Sequence, residues 1–320
     1  METTVTAQWA LEATKNIKKN IKQVIIGKEK AIDLILITLI CRGHVLIEDV
    51  PGVGKTTMVA ALAKSLDCSF KRIQFTPDVL ASDITGFTVP NFKTGEFEHH
   101  PGMLMSQIIL ADEINRTSPK TQSSLLEAME EHQVTVDGVT YLLPQPFMVL
   151  ATQNPVEYVG TFPLPEAQLD RFFVRISLGY PDLGEEIEIL NRFQQQNPLQ
   201  NLQPIASTED ILTLQSMAQK VYCTTEIKTY IAKIVYYTRS HPDLQLGASP
   251  RGSLYLMRAA QAHALIRGRE YVLPDDVQRM ASSVLIHRII MKPESRVKGT
   301  TPEKVLQSIL NELEIPMIPV

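Results

Sequence analysis

Short apolar runs alternate with stretches of helical spacing along the first half of the chain. The runs that predict strands lie at about residues 44–48, 68–75, 107–113 and 147–152. An apolar run of this length is typical of a parallel strand that is buried on both faces of a sheet. Helical spacing at residues 8–23, 28–41, 58–66 and 119–131 supplies the helices that such a sheet requires. The pattern therefore predicts an α/β fold with a parallel sheet.

From about Pro181 the strand signals disappear and helical spacing dominates. The helical segments are 185–196, 210–220, 226–239, 253–267, 275–288 and 303–313, and the prolines that punctuate them are Pro198, Pro204, Pro250, Pro274 and Pro302. We therefore predict three parts: an N-terminal helix over residues 1–23, an α/β core over 24–180 and an all-helical domain over 181–320.

Two hairpins interrupt the α/β pattern of the core. Residues 87–90 and 96–99 alternate like short strands around a polar turn at 91–95. Residues 132–136 and 139–143 are rich in β-forming side chains, and only Asp137 and Gly138 separate them. Asp-Gly between two such runs is a strong hairpin signal, because both positions tolerate the positive φ of a type I′ turn.

A glycine-rich stretch follows the first predicted strand. It reads Asp49-Val50-Pro51-Gly52-Val53-Gly54-Lys55-Thr56-Thr57. Gly52 and Gly54 lack a Cβ, so their backbone can turn N–H groups towards a polyphosphate, and the following helix directs its positive end at the same anion. Lys55 adds a charge for the β- and γ-phosphates, and the hydroxyl of Thr56 can hold Mg²⁺. The stretch from Pro51 to Thr57 is therefore the predicted ATP-binding loop.

One position departs from the full phosphate-loop pattern. Asp49 stands where the pattern G-x-x-x-x-G-K-[ST] has its first glycine. Because this position lies at the end of the strand, ahead of the turn that wraps the phosphates, we expect the substitution to be tolerated.

Polar residues end two further predicted strands. Asp112 and Glu113 close the run at 107–113, which would bring them to the carboxyl edge of the sheet. There Asp112 would hold Mg²⁺, directly or through water, and Glu113 would orient and deprotonate an attacking water. Asn154 follows the run at 147–152, where its amide could polarise that water or touch the γ-phosphate, or could simply satisfy a turn.

The composition is that of an ordinary globular protein of 320 residues, with 44% hydrophobic and 21% charged positions. A net charge of −4 argues against a broad basic surface for nucleic acid, although a local patch stays possible. Cys41, Cys68 and Cys223 lack metal-ligand spacing and suggest reduced thiols. The N-terminus lacks the features of a signal peptide, and the apolar run at 31–40 is too short to cross a bilayer. We therefore expect a cytoplasmic protein without a transmembrane segment.

The order of these features resembles the AAA+ ATPases and, among them, the MoxR family. The phrases that carry the resemblance are residues 48–56, 75–78, 82–86, 111–116, 151–155, 164–172 and 247–251. They extend from about residue 24 to residue 290 and thus cover nearly the whole chain. The resemblance implies a P-loop NTPase core in which the hairpin at 87–99 is the helix-2 insert and the Asp137-Gly138 hairpin is the pre-sensor-1 hairpin. It makes residues 181–320 the lid domain.

The resemblance also implies a homo-oligomeric ring, usually a hexamer, in which nucleotide lies between neighbouring subunits. Asn154 matches sensor 1, and residues 24–27, which end at Gly27, match the segment that packs against adenine in these ATPases. Arg251 matches sensor 2, which in related ATPases often acts across the subunit boundary; the sequence leaves open which chain it serves here.

Arg171 matches the arginine finger of these ATPases. A guanidinium that reaches the neighbouring site stabilises the charge on the transferring phosphoryl group. Arg175 and Arg116 are reserve candidates for this role. Arg171 also directly follows Asp170, so an ordinary ion pair within the chain is the alternative.

The function implied by the resemblance is ATP hydrolysis that drives chaperone-like remodelling, assembly or activation of partner proteins. MoxR relatives act with proteins that contain a von Willebrand factor A domain. Two alternatives stay open: a nucleic-acid motor, which the acidic hairpin tip at Asp137 disfavours, and a magnesium-chelatase-like motor subunit, which would have a dedicated partner subunit.

Overall fold

The computed structural model describes residues 6–93, 95–154, 160–194 and 197–317. In chain order, the strands are β1 Val45–Glu48, β2 Phe70–Gln74, β3 Gly86–Pro90, β4 Phe97–Pro101, β5 Ile108–Asp112, β6 Gln133–Val136, β7 Val139–Leu142, β8 Met148–Gln153, β9 Val174–Ile176, β10 Leu244–Leu246 and β11 Ile290–Met291. The α-helices are α1 Ala7–Ile21, α2 Glu29–Ile40, α3 Lys55–Ser65, α4 Ala81–Thr85, α5 Pro119–Glu131, α6 Glu166–Leu169, α7 Leu183–Phe193, α8 Pro198–Asn201, α9 Thr208–Lys220, α10 Thr225–Ser240, α11 Pro250–Ile266, α12 Pro274–Leu285, α13 Pro293–Val297 and α14 Pro302–Glu312. Short 3₁₀ helices lie at Ile114–Arg116 and Ile286–Arg288.

The central sheet has the strand order β2-β5-β8-β1-β9, and every neighbouring pair is parallel. The parallel sheet predicted from the sequence is therefore confirmed. Ala151 on β8 lies opposite both Ala111 on β5 and Leu46 on β1, so these strands end at one common edge. The edge strand β9 was not predicted, because three residues are too few to show a period.

Consecutive side chains of the sheet enter two different cores. On β5, Ile108 and Leu110 pack into a core shared with α2 and α3, whereas Ile109 and Ala111 pack into a core shared with α5. Burial on both faces explains why the strands are apolar at successive positions instead of alternate ones. Each fully buried isoleucine or leucine stabilises the fold by roughly 1.5–3 kcal/mol. The two cores thus hold the strand ends that carry the site.

Both predicted hairpins are present. β3 pairs with β4, and β6 pairs with β7, each in antiparallel register. Asp137 and Gly138 have φ of 49° and 81°, as a type I′ turn requires. The hairpins contact each other, because the ring of His99 stacks on Tyr141 with centroids 3.9 Å apart. Thr94, in the turn of the first hairpin, lies outside the described residues.

The N-terminal helix α1 packs on the rest of the chain along one face. Ala10, Thr14 and Ile17 are buried on that face, and the helix contacts α3 and α11. The lysines at positions 15 and 19 are on the exposed side. α1 therefore joins the two halves of the chain, and the predicted boundaries after residues 23 and 180 stay predictions.

The second half of the chain is mostly helical, as predicted, and one short pair of strands that was not predicted lies among its helices. β10 and β11 form an antiparallel pair. Strands of three and two residues between helices are too short for an alternating pattern to appear in the sequence. The six predicted helices correspond to α7, α9, α10, α11, α12 and α14; Gln195 and Gln196, at the predicted end of the first, lie outside the described residues. Within the described ranges, no helix has both the length and the apolar character needed to cross a membrane.

Candidate functional site

The predicted phosphate loop connects β1 to α3. Gly52 and Gly54 have φ of 86° and 87°, a region that glycine enters without strain. No atom lies within 4 Å of the position that a Cβ would take at either glycine, so the loop is open on that side. α3 begins at Lys55 and has Gly54 as its N-cap, which offers no side-chain acceptor to the first helical N–H groups. The loop therefore leaves backbone donors and space for an anion.

Lys55 folds back over its own loop. Its Nζ donates hydrogen bonds to the carbonyl oxygens of Asp49 and Val50, at 3.2 Å and 3.4 Å. These contacts hold the ammonium group beside the open side of the loop.

Asp49 has a structural role that explains why glycine is not needed there. Among the described residues of the loop, positive φ occurs only at Gly52 and Gly54. The Asp49 carboxylate is buried and accepts hydrogen bonds from the Ser177 hydroxyl at 2.9 Å and from the backbone N–H groups of Leu178 and Gly179. It thereby ties the start of the phosphate loop to the segment that leaves β9.

Asp112 is held from both neighbouring strands of the sheet. The Thr152 hydroxyl on β8 donates a hydrogen bond of 2.6 Å to its Oδ1, and Arg72 on β2 donates to its Oδ2 from Nη2 at 2.7 Å and from Nε at 3.2 Å. The Asp112 side chain is 11% exposed. Its orientation towards the carboxyl edge is thus fixed by one partner on each side.

Glu113 has a left-handed backbone, with φ of 59°. Such a conformation costs a residue other than glycine roughly 1–3 kcal/mol and is concentrated at functional sites. The Glu113 N–H donates to the Thr152 hydroxyl at 2.9 Å. Its carboxylate Oε2 accepts a hydrogen bond of 2.9 Å from the Gln74 amide and pairs with Arg116 Nε at 3.2 Å.

One cavity of about 360 Å³ joins most of the predicted site residues. Its lining comprises Pro51, Gly52, Gly54, Lys55, Thr56, Thr57, Arg72, Gln74, Asp112, Glu113 and Asn154. Asn154 is 8% exposed at the end of β8, and Pro155, which belongs to the same motif, lies outside the described residues. The cavity supplies the Thr56 hydroxyl and the Asp112 carboxylate as oxygen donors, the ligand type that Mg²⁺ prefers. These residues fit a magnesium–nucleotide complex.

Two predicted binding residues lie elsewhere. Val53 packs against the larger core instead of lining the cavity. Gly27 has φ of 64°, and a Cβ there would lie 1.9 Å from Oε1 of Glu185 on α7. Beside it, Lys28 pairs with the same carboxylate at 3.4 Å. Gly27 therefore marks where the first helix of the second half rests on the core.

Arg171 and Arg251 are brought together, but away from the phosphate loop. Arg171 Nε lies 3.1 Å from Glu130 Oε2, and Arg251 Nη2 contacts Glu130 Oε1. All three line a second cavity of about 550 Å³, which shares no lining residue with the first. Arg171 precedes β9, and the N–H of Phe173 donates to the carbonyl oxygen of His44, ahead of β1. The arginines therefore lie at the amino edge of the sheet, opposite the phosphate loop.

Asp170 is not the partner of Arg171. It accepts a hydrogen bond of 2.9 Å from Arg288 Nε and another of 2.9 Å from the Ser249 hydroxyl. Arg288 is buried, which lowers its pKa from its ordinary value to about 10, although Asp170 opposes that shift. The ion pair that Arg171 makes within the chain is thus with Glu130 and not with the adjacent Asp170, which instead fastens the segment before β9 to the second half.

The two reserve arginines have other partners. Arg175 pairs with Glu48 at 3.1 Å and with Glu303 at 3.7 Å. Arg116 pairs with Glu113, which lines the cavity of its own chain. Neither is found with Arg171 at the amino edge.

Sequence reasoning missed four residues that organise the site: Arg72, Gln74, Thr152 and Glu130. Arg72 and Gln74 are two positions apart on β2 and therefore lie on the same side of the strand. The sequence signal for them is this pair of polar side chains, two positions apart on the strand next to the one that ends in Asp112. Glu130, at the end of α5, gave no signal, because only the fold brings it to Arg171.

Comparison with known proteins first identifies the class. The profile of the ATPase family associated with various cellular activities (AAA) matches residues 44–174, and that of the AAA lid domain matches residues 236–309. A solved structure of a candidate ATPase from Cytophaga hutchinsonii superposes with a TM-score of 0.91 at 40% identity, covering 97% of each chain. The chain is an AAA+ ATPase, a nucleotide-binding protein with a parallel-sheet core and a mostly helical lid domain.

Its relatives then identify the family. Chaperone MoxR1 of Mycobacterium tuberculosis is 39% identical over 307 residues, which cover 93% of this chain and 81% of that protein. The uncharacterized protein YeaC of Bacillus subtilis is 54% identical over 299 residues, 93% of each chain. The chain belongs to the MoxR family of AAA+ ATPases, as its sequence motifs predicted.

Proposed function

We propose that this protein hydrolyses ATP at the cavity between the phosphate loop and Asp112-Glu113, and that the energy drives chaperone-like remodelling of partner proteins. The observation that carries the hydrolysis proposal is the convergence of Lys55, Thr56, Asp112, Glu113 and Asn154 on one cavity at the carboxyl edge of the sheet. Ligands of parallel α/β proteins bind at this edge.

The phosphate loop would bind the triphosphate. Backbone N–H groups around Gly52 and Gly54, together with the positive end of α3, complement the β- and γ-phosphates. Lys55 would leave its carbonyl partners for the stronger charge of the phosphates. Thr56 and Asp112 would hold Mg²⁺, which when bound neutralises phosphate charge.

Glu113 is the proposed general base. It directly follows Asp112, its backbone is fixed by Thr152, and it lines the same cavity as Lys55. A carboxylate in that position can orient a water and accept its proton during attack on the γ-phosphate. Asn154 lines the cavity from β8 and would contact the same water or the γ-phosphate as sensor 1.

We infer that Arg171 and Arg251 serve the nucleotide of a neighbouring subunit. Both arginines lie at the amino edge of a sheet whose carboxyl edge holds their own phosphate loop. The four residues of β1 alone separate these edges by about 13 Å. A guanidinium from the next protomer would complete each site, which requires a homo-oligomeric ring, in this family usually a hexamer. Arg171 is the finger and Arg251 acts as sensor 2 across the boundary.

Two variants test the hydrolysis proposal. Glu113→Gln keeps the shape of the base but removes its charge, so ATP binding should persist while turnover falls by roughly 10²–10⁴-fold. Lys55→Ala should instead weaken ATP binding itself, whereas Lys71→Ala, an exposed lysine on β2, serves as the charge-matched control. Normal turnover by Glu113→Gln would reject Glu113 as the base, and undiminished ATP affinity in Lys55→Ala would reject the phosphate loop.

The partner role rests on family membership and on the relative named Chaperone MoxR1. We propose a protein client, engaged with a protein that contains a von Willebrand factor A domain, in the cytoplasm. Phe92 and Phe97 on the first hairpin are 95% and 75% exposed, which suits contact with a polypeptide. Capture with the Glu113→Gln variant in the presence of ATP should enrich such a protein over capture with Lys55→Ala. Enrichment of nucleic acid instead would favour the motor alternative.

A further inference from the structure

Glu130 joins two arginines that come from different parts of the chain. It lies in the last turn of α5, Arg171 lies just before β9, and Arg251 lies in the first turn of α11. Each carboxylate oxygen of Glu130 pairs with one guanidinium: Oε2 with that of Arg171 and Oε1 with that of Arg251. Without the carboxylate, two like charges would be held close together and would repel each other.

The geometry of the pairing leaves the arginines able to bind a second anion. Arg171 pairs with Glu130 through its Nε. Its terminal Nη1 and Nη2 atoms have no partner among the described residues. The side chains of Arg171, Arg251 and Glu130 are 31%, 33% and 37% exposed, so the cluster is open to solvent. Two guanidiniums and one carboxylate carry a net positive charge, and forked donors of this kind suit phosphate oxygens.

Glu130 is itself held in place. The carbonyl oxygen of the preceding Met129 is 2.9 Å from His44 Nε2, and the N–H of His132 donates to the Ala128 carbonyl as the C-terminal cap of α5. His44 also accepts the Val149 N–H at Nδ1, at 3.0 Å. The helix end that carries Glu130 is therefore anchored to the amino edge of the sheet.

We propose that Glu130 is a positioning residue that holds Arg171 and Arg251 as one pair, with their free N–H groups directed at the γ-phosphate bound by the neighbouring subunit. This inference rests on the proposed function of the two arginines across the subunit boundary. Glu130 would not touch the nucleotide; it would act through the guanidiniums that it orients.

Glu130→Gln should lower kcat by roughly 10- to 100-fold, the scale of misplacing a catalytic group by about 1 Å. The half-saturating ATP concentration should be unchanged, because the phosphate loop lies at the opposite edge. Glu127→Gln removes the same charge from an exposed position one turn earlier on α5 and should behave as wild type. Glu130→Asp keeps the charge with a shorter reach and should recover part of the rate. Wild-type kcat in Glu130→Gln, or a lower ATP affinity with unchanged kcat, would overturn the proposal.

Mixing subunits that carry different substitutions tests whether Glu130 acts on the nucleotide site of the neighbouring subunit. Glu130→Gln mixed with Glu113→Gln should regain activity, because some interfaces then combine an intact base with an intact arginine pair. Glu130→Gln mixed with Arg171→Ala should show no gain over the unmixed variants, because both impair the arginine pair and no interface then has an intact one. Activity in the second mixture but not in the first would overturn the inference. The mixture of Arg171→Ala with Glu113→Gln is the reference. If this mixture regains no activity, the proposal of a site shared between subunits is rejected. If it regains activity and the mixture of Glu130→Gln with Glu113→Gln does not, only the role of Glu130 is rejected.

Discussion

Gln74 donates a hydrogen bond of 2.9 Å to Oε2 of Glu113, from the strand next to the one that carries the proposed base. The same oxygen pairs with Arg116, so two donors hold one carboxylate oxygen. While these two donors occupy Oε2, that oxygen has less room to accept a hydrogen bond from an attacking water.

Gln74→Ala should therefore raise the basal ATPase rate. The removed hydrogen bond is worth about 1 kcal/mol, which corresponds to roughly a fivefold increase if the contact must break before catalysis. Steady-state phosphate release at saturating ATP measures the effect, and Lys71→Ala on the same strand is the control. A rate equal to or below wild type would mean that Gln74 supports Glu113 instead of restraining it.

Asp49 should contribute to stability more than to catalysis. Asp49→Ala removes an acceptor of three hydrogen bonds and leaves two backbone N–H groups unsatisfied, that of Leu178 in a buried place and that of Gly179 in a partly buried one. We expect a loss of about 2–4 kcal/mol in the free energy of unfolding, measured by urea denaturation. Ser177→Ala removes a single donor and should cost about 1 kcal/mol. Equal stability of Asp49→Ala and wild type would contradict the anchoring role.

The stability of the protein should fall between pH 6.5 and pH 4. Burial is the main cause that lowers the pKa of His44 from 6.5 to about 4, and the hydrogen bond to Met129 only partly opposes it. Because the Val149 N–H donates to Nδ1, the folded state requires neutral His44, with its proton on Nε2. Unfolding releases the ring to protonate, so stability is fully present above pH 6.5 and is lost as the pH falls to 4, by about 3 kcal/mol.

The variant His44→Gln isolates this contribution from that of the carboxylates, which titrate in part of the same range. It should be less stable than wild type at pH 7.5, and its unfolding free energy should depend less steeply on pH between 6.5 and 4. Parallel pH profiles of the two proteins would show that His44 is not responsible. His287, whose pKa burial also lowers well below its ordinary value, should account for part of the remaining slope.

The sequence predicted what depends on local pattern. The parallel strands, the Asp137-Gly138 hairpin and the helix from Pro119 to Glu131 each have a strong periodic or turn signal, and the structure has all three. The convergence of Lys55 with Asp112 was predictable as well, because the carboxyl ends of parallel strands meet at one edge.

What the sequence could not predict are contacts between distant segments. Glu130 and Arg171 are far apart in the chain, and neither residue type nor spacing indicates that they meet. Likewise, the adjacent positions of Asp170 and Arg171 suggested an ion pair between them. In the structure, Asp170 pairs with Arg288 from the second half of the chain. β10 and β11 were missed because their pairing depends on where two helices end.

Arg288, which belongs to the second half of the chain, should influence the rate of ATP hydrolysis through its contacts with the segment that carries Arg171. Its guanidinium donates to Asp170 Oδ1 and also to the backbone carbonyl oxygens of Asp170 and Phe172, which flank Arg171. Arg288→Met would leave the Asp170 carboxylate without its cationic partner in a partly buried place, at a cost of roughly 3–5 kcal/mol in stability.

A milder pair of variants separates positioning from folding. Ser249→Ala removes one hydrogen bond to the Asp170 carboxylate but no charge, and should cost about 1.5–3 kcal/mol, less than Arg288→Met. Arg288→Lys keeps the charge but loses the planar fork that bonds several oxygens at once. Both variants should lower kcat with unchanged ATP affinity, because the segment that carries Arg171 loosens while the phosphate loop at the other edge is untouched. Unchanged kcat in both, or ATP affinity that falls together with kcat, would show that the contact of Arg288 with Asp170 only stabilises the fold.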